Sequence, residues 1–370
     1  MEKEIGVAYM PGGRILSIDF FRGITMFLLI GEFTGLFQHM VDPSLEGTII
    51  HFIGNQFHHH PWHGMHFWDL VQPFFMFIVG VAIPLSVAKR TKRGDSYRDM
   101  LKHALIRFFL LLFFGWALYC IGPGRITFRF QNVLAQLSVT YLVAFLLMNR
   151  KTWVQLVVTL GILIITELTY RFFPVEGFNQ PFVPDKNFGA YFDLLISGEL
   201  SSGHWVSINA VPTIAHTVWG VMAGKLILSN RAAIQKIRIL LLAGVIGLVL
   251  GYSLDNVTPI IKRISTTSFV LASGGWCFLA LSFSYWIIDV KQWGKWAVFF
   301  AIVGMNPLFI YLFAHIGGSD LIYQVFTPFT MGLFSWMGEL AAKIITSVFT
   351  WATLWYMCYW LYRKKIFIKI

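Results

Sequence analysis

The sequence is short of charge. Of its 370 residues only 13% are Asp, Glu, Lys or Arg, about half the roughly 25% of a soluble domain. Hydrophobic residues make up 56%, aromatics 17%, and the mean hydropathy is +0.65. That balance excludes a water-soluble globule, a disordered chain and a coiled coil. Cysteine is scarce too. Cys120, Cys277 and Cys358 lie far apart, each inside an apolar run. No disulfide framework or cysteine metal site is expected from them, and they read as small buried hydrophobes. There is no Walker loop, GxGxxG, GxSxG or HExxH. P-loop phosphoryl transfer, Rossmann cofactors and elbow-type serine hydrolysis therefore have no support. A cleaved signal peptide is also absent from the reading. The first apolar run starts at Ile15, holds Asp19 and Arg22, and lacks a small-x-small cleavage site, so it reads as a retained span.

What the chain does have is long apolar runs. Ten of them reach the ~20 residues needed to cross a bilayer: 15–37, 67–88, 101–121, 132–149, 153–172, 208–228, 237–255, 267–290, 297–316 and 339–362. The expected fold is all-α, a polytopic membrane helix bundle of about 10 transmembrane helices forming one domain over residues 1–370. Long connections cover 38–66, 89–100, 173–207 and 317–338. The last includes Phe326–Trp336, apolar enough for a re-entrant or half-helix segment. Lys and Arg set the orientation. With both termini cytoplasmic, nineteen of the 29 fall on inside segments, Lys3 and Lys369 among them. Six fall outside and four within spans. This places the 38–66 and 173–207 loops outside. The net charge of +11 and pI of about 9.6 then reflect cytoplasmic anchoring, and nucleic acid is not an expected partner. Pro73, Pro84, Pro212 and Pro307 fall in or near spans, where proline frees a carbonyl and bends often border cavities.

Seven of the eleven histidines lie between His39 and His66: His39, His51, His58, His59, His60, His63 and His66. Histidine exchanges a proton near neutral pH, so one or two of these are candidate acid/base groups and the rest solvated loop residues. Asp69, just inside the second span, is the natural carboxylate to orient a histidine base. Its plainer reading is a helix N-terminal charge. His63, His66 and Asp69 at i, i+3, i+6 form a weak candidate face for zinc with a water, which defines a metal-dependent hydrolase as one rival function. Asp19 and Arg22 form an intramembrane i, i+3 pair. Arg22, Arg107 and the Lys89–Arg93 run lie toward the cytoplasm and suit a multiply phosphorylated ligand. Asn306, before Pro307, is a buried amide able to donate to a reacting carbonyl, with helix-to-helix glue as its plainer role. His315 lies two turns further out.

The segments RILSIDFFRGITMFLLIG, HHHPWHGMHFWDLVQPFFMFIVGVAIPLS, ISTTSFVLASGGWCFLALSFSYWIIDV and WAVFFAIVGMNPLFIYL resemble the transmembrane acyltransferases related to heparan-α-glucosaminide N-acetyltransferase. The likeness is to their bacterial branch, sometimes labelled an N-acetylglucosamine-related transporter, and runs from about residue 14 to 316. The resemblance implies acetyl transfer across a bacterial inner membrane, from cytoplasmic acetyl-CoA as co-substrate to an amino sugar or glycan outside. The family's catalytic histidine, three residues before the motif Trp, falls on His59. Its Asp falls on Asp69 and its membrane-embedded Asn on Asn306. Arg129 is kept, but the Gln-Arg pair that follows it in the family is replaced by Ala135 and Gln136. His58, His60, His63 and His66 are not part of the family pattern.

The expected site therefore has His59 as base or acetyl carrier, Asp69 orienting it and Asn306 stabilising the oxyanion. Asp19, Arg22, Arg107, Arg129 and Asn306 would bind acetyl-CoA. Trp62, Lys262 and His315 would bind the sugar. No metal is expected. The remaining partners are membrane lipid and a second copy of the chain in a homodimer. The other rival function is transport of amino sugars.

Overall fold

A computed structural model describes residues 9–10 and 14–368. Lys3 and Lys369, two of the expected cytoplasmic anchors, lie outside the described residues. Apart from a two-residue antiparallel pairing of Tyr9–Met10 with Arg14–Ile15, the regular structure is helical. In chain order the helices are α1 (Leu16–Glu32), α2 (Leu36–Met40), α3 (Ile49–Gln56), α4 (Val71–Thr91), α5 (Tyr97–Ile121), α6 (Val133–Leu147), α7 (Thr152–Arg171) and α8 (Phe188–Ser197). They continue with α9 (Ile214–Leu228), α10 (Ala233–Ser253), α11 (Thr267–Ser284), α12 (Ala297–Val303), α13 (Pro307–Phe313), α14 (Ser319–Phe334) and α15 (Glu339–Arg363). Several starts are written in the sequence as side-chain caps. Ser96 and Asp99 form a reciprocal capping box at α5. Asn132 accepts from the Leu134 and Ala135 amides at α6. Thr48 caps α3 and Asn187 caps α8.

Among the described residues eight helical stretches are long and apolar enough to cross a membrane, so the all-α polytopic bundle stands. Three expected spans come out differently. The first is a 17-residue helix, α1, and the fourth a 15-residue helix, α6. The span expected over 297–316 is broken at Gly304–Asn306 into α12 and α13. Pro307 is the first residue of α13, and Asn306 before it leaves helical geometry at φ −127°, ψ 50°. Proline favours the first helical position and pushes the residue before it out of the α region. Of the segment 326–336, the residues up to Phe334 lie in α14 and the rest in a 3₁₀ turn; helical structure runs on from Pro307 to Met337, with Gly317 at φ 101° marking a kink.

The contacts divide the chain into two compact units. One comprises the segments ending at His59, His66–Val71 and the stretch from Ser284. Here α1 meets α12 at small residues: a Cβ on Gly23 would run into the Phe300 carbonyl, and one on Gly304 into Gly23. Small residues let backbones approach closely where no hydrophobic drive separates helix from lipid. The indoles of Trp351 and Trp355 on α15 donate to the Phe27 and Phe299 carbonyls, both at 3.0 Å. Asp289 accepts from the Leu16 and Ser17 amides at 3.2 Å each, capping α1 from a distant part of the chain. A buried cluster of Phe37, Trp68 and Val71, with Phe57 and Trp351 packed on it, holds the start of α4.

The other unit comprises His60–Met65 and Gln72–Phe283. Helices α4 and α9 are largely buried in it, whereas α5, α7 and α10 expose apolar side chains such as Phe109, Ile164 and Leu242, as helix surfaces bathed in lipid do. The crossing of α4 and α9 depends on Gly80 and Gly220, whose missing side chains leave room for the Thr217 and Phe77 carbonyls.

Candidate functional site

The second span begins as a 3₁₀ turn, Phe67–Leu70, before α4, with His66 as its N-cap. Asp69, the third residue of that turn, reaches back and its Oδ2 accepts the His66 backbone N–H at 2.8 Å. Its other oxygen, Oδ1, meets His59 Nδ1 at 2.8 Å. The Asp69 side chain is 1% exposed and that of His59 30%. The two sequence readings of Asp69 are therefore both present in one carboxylate: one oxygen caps the helix and the other orients an imidazole. Because a carboxylate only accepts, His59 Nδ1 carries the proton and the lone pair resides on Nε2. The same carboxylate stabilises the imidazolium that forms when Nε2 takes a proton.

Each neighbouring histidine with a resolved ring contact has its own task. His58 Nδ1 bonds to the Gly54 carbonyl at 2.9 Å, and its Nε2 lies 3.3 Å from Gln38 Oε1. Of His58 and His59, it is His59 whose ring meets Asp69. His66 Nδ1 bonds to the His58 carbonyl at 3.0 Å. His63 Nε2 pairs with Asp255 at 2.9 Å, and Asp255 also accepts the Ile260 N–H. His51 meets Asn55, and His39 meets Tyr323 at 3.4 Å. Burial and the Lys343 charge lower the His39 pKa below its ordinary value, against a smaller opposing effect of Asp42. The expected face of His63, His66 and Asp69 is not assembled as a ligand set, since each is turned to a different partner. Among the described residues no group of three or more His, Cys, Asp or Glu is gathered for a metal.

The residues expected to bind acetyl-CoA fall in both units. In the first unit Arg22 pairs with Asp19 at 2.7 Å. In the second, the Arg107 guanidinium lies over the Tyr141 ring, 4.5 Å from its centroid. Arg129 pairs with Glu199 at 3.0 Å, beside Arg125. Asn306 is fully buried. Its amide spans the chain's C-terminal segment, Nδ2 donating to the Ile366 carbonyl at 3.0 Å and Oδ1 accepting the Ile368 N–H at 2.8 Å.

The expected sugar ligands also have defined surroundings. Trp62 Nε1 donates to the Phe182 carbonyl at 2.8 Å, and its ring joins a cluster with Tyr170, Val206, Ile261 and Ile264. Lys262 lies over the Trp205 ring at 5.4 Å. His315 packs against Phe33 and Tyr311. Sequence reasoning missed a buried polar network in the second unit. Gln136, which stands where the family has Arg, bonds to Gln72, to Asn209 and to the Gln131 carbonyl. Gln131 donates to Asp193 at 2.9 Å, and Asp193 also accepts the Ser207 N–H. Burial pushes the Asp193 carboxyl above its ordinary pKa, against these hydrogen bonds and the Arg129 charge. The one signal available was the departure at Ala135 and Gln136. The long-range partners, 62 to 73 residues apart in sequence, carry no local pattern.

Comparison with known proteins bears on this site. A family model described as a domain of unknown function (DUF5009) matches residues 14–149. Heparan-α-glucosaminide N-acetyltransferase of Homo sapiens is 26% identical over 428 aligned residues, covering 96% of this chain and 60% of that protein. The Mus musculus protein of the same name is 25% identical over 425 residues, with the same shares. The chain spans 60% of the length of these curated relatives. Fold and matches define the class first, a multi-pass helical membrane protein. Within that class, the chain is similar over most of its length to the two heparan-α-glucosaminide N-acetyltransferases.

Proposed function

We propose that this protein is a membrane acetyltransferase. It moves an acetyl group from cytoplasmic acetyl-CoA to the amine of a glucosamine-type sugar or glycan on the periplasmic side of a bacterial inner membrane, with both termini cytoplasmic. The observation that carries the reading is the His59–Asp69 pair at 2.8 Å, on the motif through which the chain resembles the family. The names of the two relatives support the reaction class.

The chemistry asks for a base. The neutral acceptor amine attacks the thioester carbonyl carbon, and the C–N bond forms. His59 Nε2 accepts the proton the nitrogen loses, while Asp69 holds the resulting imidazolium through Nδ1–H. The C–S bond then breaks, and the CoA thiolate leaves and takes the proton back. In the variant with an acetyl carrier, Nε2 itself attacks the thioester and passes the acetyl group on. Labelled acetyl-CoA without acceptor distinguishes the two, since only the carrier leaves label on the protein.

Arg22 and Arg107 are assigned to the nucleotide end of CoA. Arg129, which Glu199 meets at 3.0 Å, belongs to the same proposed set. Asn306 is proposed as donor to the thioester oxygen, a role for which its amide must exchange its bonds to Ile366 and Ile368. The experiment is acetylation of glucosamine by purified protein with acetyl-CoA, and its loss in His59→Ala. An amino-sugar transporter predicts the opposite pattern: uptake into sealed vesicles without acetyl-CoA, insensitive to that substitution.

A further inference from the structure

Three of the extra histidines that the family pattern lacks, His58, His60 and His66, surround the dyad in sequence, and one of them is wired into it. His66 has two separate connections to the reacting pair. Its backbone N–H donates to Asp69 Oδ2 at 2.8 Å, and its ring Nδ1 meets the His58 carbonyl at 3.0 Å. A carbonyl only accepts, so His66 Nδ1 carries a proton and donates. That holds for the neutral ring and for the imidazolium alike.

The His58 carbonyl belongs to the peptide that carries the His59 amide. Fixing this oxygen fixes the peptide plane from which the His59 side chain departs. The plane is held from the other side as well, because the His58 ring bonds to the Gly54 carbonyl in the last turn of α3, and the Phe67 N–H donates to Gln56 Oε1. Asp69 alone sets only where Nδ1 ends. Tying the backbone behind the ring fixes the direction from which it reaches that contact. We propose that His66 is a positioning residue for acetyl transfer: its ring Nδ1–H holds the His58–His59 peptide, while its backbone N–H holds Asp69, so that base and orienting carboxylate are referred to one residue. This inference rests on the reading of His59 as the base or acetyl carrier.

The test uses the full-length protein reconstituted with acetyl-CoA and glucosamine. In His66→Asn the side-chain amide nitrogen takes the place of Nδ1 and keeps a donor, while His66→Leu removes it. The leucine variant is expected to lose about 100-fold in kcat, the scale of a ~1 Å misplacement of a catalytic group, with the KM for acetyl-CoA within about twofold of the parent. The asparagine variant is expected to regain most of that loss. Melting temperatures of both variants are measured alongside, and should the leucine protein not fold, His66→Asn against His66→Gln replaces the comparison, since glutamine carries its amide one bond too far out. Leucine-variant activity within threefold of the parent overturns the inference, as does an asparagine variant no better than leucine. His59→Ala in the same assay keeps the two ideas apart. If that variant is inactive and His66→Leu is not impaired, only the role of His66 falls. If His59→Ala turns over normally, the reading of the site itself falls.

Discussion

Replacing Asp69 by asparagine is the sharpest probe of the dyad, because it changes two protons and almost no volume. The carboxylate serves two donors, His59 Nδ1–H through Oδ1 and the His66 N–H through Oδ2, each at 2.8 Å. An amide has one oxygen and one NH2, so it satisfies one donor and opposes the other. If the oxygen stays on the helix cap, the NH2 faces His59 Nδ1, which must become the acceptor. The ring proton then moves to Nε2 and the base is blocked. A wrong tautomer of this kind costs about 10⁴ in kcat where it has been measured in other histidine–aspartate pairs, or ~5 kcal/mol at 1.36 kcal/mol per decade. If the amide turns round, the cap is lost at about 1 kcal/mol. The His59 contact then drops from a charged to a neutral hydrogen bond, a further ~1 kcal/mol and about tenfold in rate. The first arrangement leaves no buried donor facing another donor, so a loss of about 10³–10⁴ in kcat with little change in melting temperature is expected. The assay is steady-state acetylation with acetyl-CoA and glucosamine, with melting followed in parallel. An Asp69→Asn protein that keeps more than a tenth of the parent's kcat, with an unchanged melting temperature, would refute the assignment of Asp69 as the orienting group.

Three further expectations concern the frame around the site. Asn306→Ala removes both bonds to the C-terminal segment, costing about 1–2 kcal/mol of stability, and hydrogen exchange at Ile368 rises, as mass spectrometry of the purified protein will show. His39 is held neutral by burial and the nearby Lys343 charge, with Asp42 opposing and Tyr323 against its ring. Its folded pKa lies below 6.5, so its stabilising contribution is complete above that value and is lost as pH falls from 6.5 through the lowered folded pKa. Melting temperature is therefore expected to drop on acidification over that window, and His39→Gln flattens the slope. Gly80→Leu forces a side chain into the Thr217 carbonyl at the α4–α9 crossing, and is expected to leave little folded protein by size-exclusion chromatography.

The membrane class and the need of Asp69 for a partner were legible from local rules, whereas His59 as that partner came only from the family resemblance. Apolar runs of the right length define spans by composition, and Asp69 stands where a helix N-terminus and a nearby histidine both call for a carboxylate. The break at Gly304–Asn306 was half visible. Pro307 announced a perturbed helix, but proline alone does not say whether a span bends or stops, and the close approach of Gly304 to Gly23 that fixes it is a tertiary contact. The partners of Asn306, Arg129 and Gln136 were not legible for the same reason. Each side chain found a partner remote in sequence: Ile366, Glu199 and Asn209. A polar residue in an apolar run advertises only that it needs a partner. A ligand and a distant stretch of the same chain satisfy that need equally well, and sequence reading favours the ligand because the distant stretch is invisible to it.

Asp69 differs from those three in a way that bears on which polar residues in a span deserve a functional assignment. Burying a carboxylate is costly unless its oxygens are bonded. The cap at His66 N–H meets that cost on one side with backbone alone. A purely structural Asp needs nothing more than further backbone donors, as Asp289 shows with the Leu16 and Ser17 amides. At Asp69 the second oxygen is given instead to the side chain of a histidine that keeps 30% of its surface open. A titratable ring is a poor choice for structural satisfaction, because its hydrogen-bonding character changes with pH, whereas an amide N–H always donates. The same standard sets His63 and Asp255 apart: that pair is more exposed on both sides, 55% and 34%, and its Asp also caps the Ile260 N–H, but its histidine lies on a water-accessible surface where an ion pair contributes little. A buried acceptor joined to a partly open imidazole is the arrangement that a proton-transfer site requires, and His59–Asp69 has it where His63–Asp255 and His204–Asp185, with their more exposed carboxylates, do not.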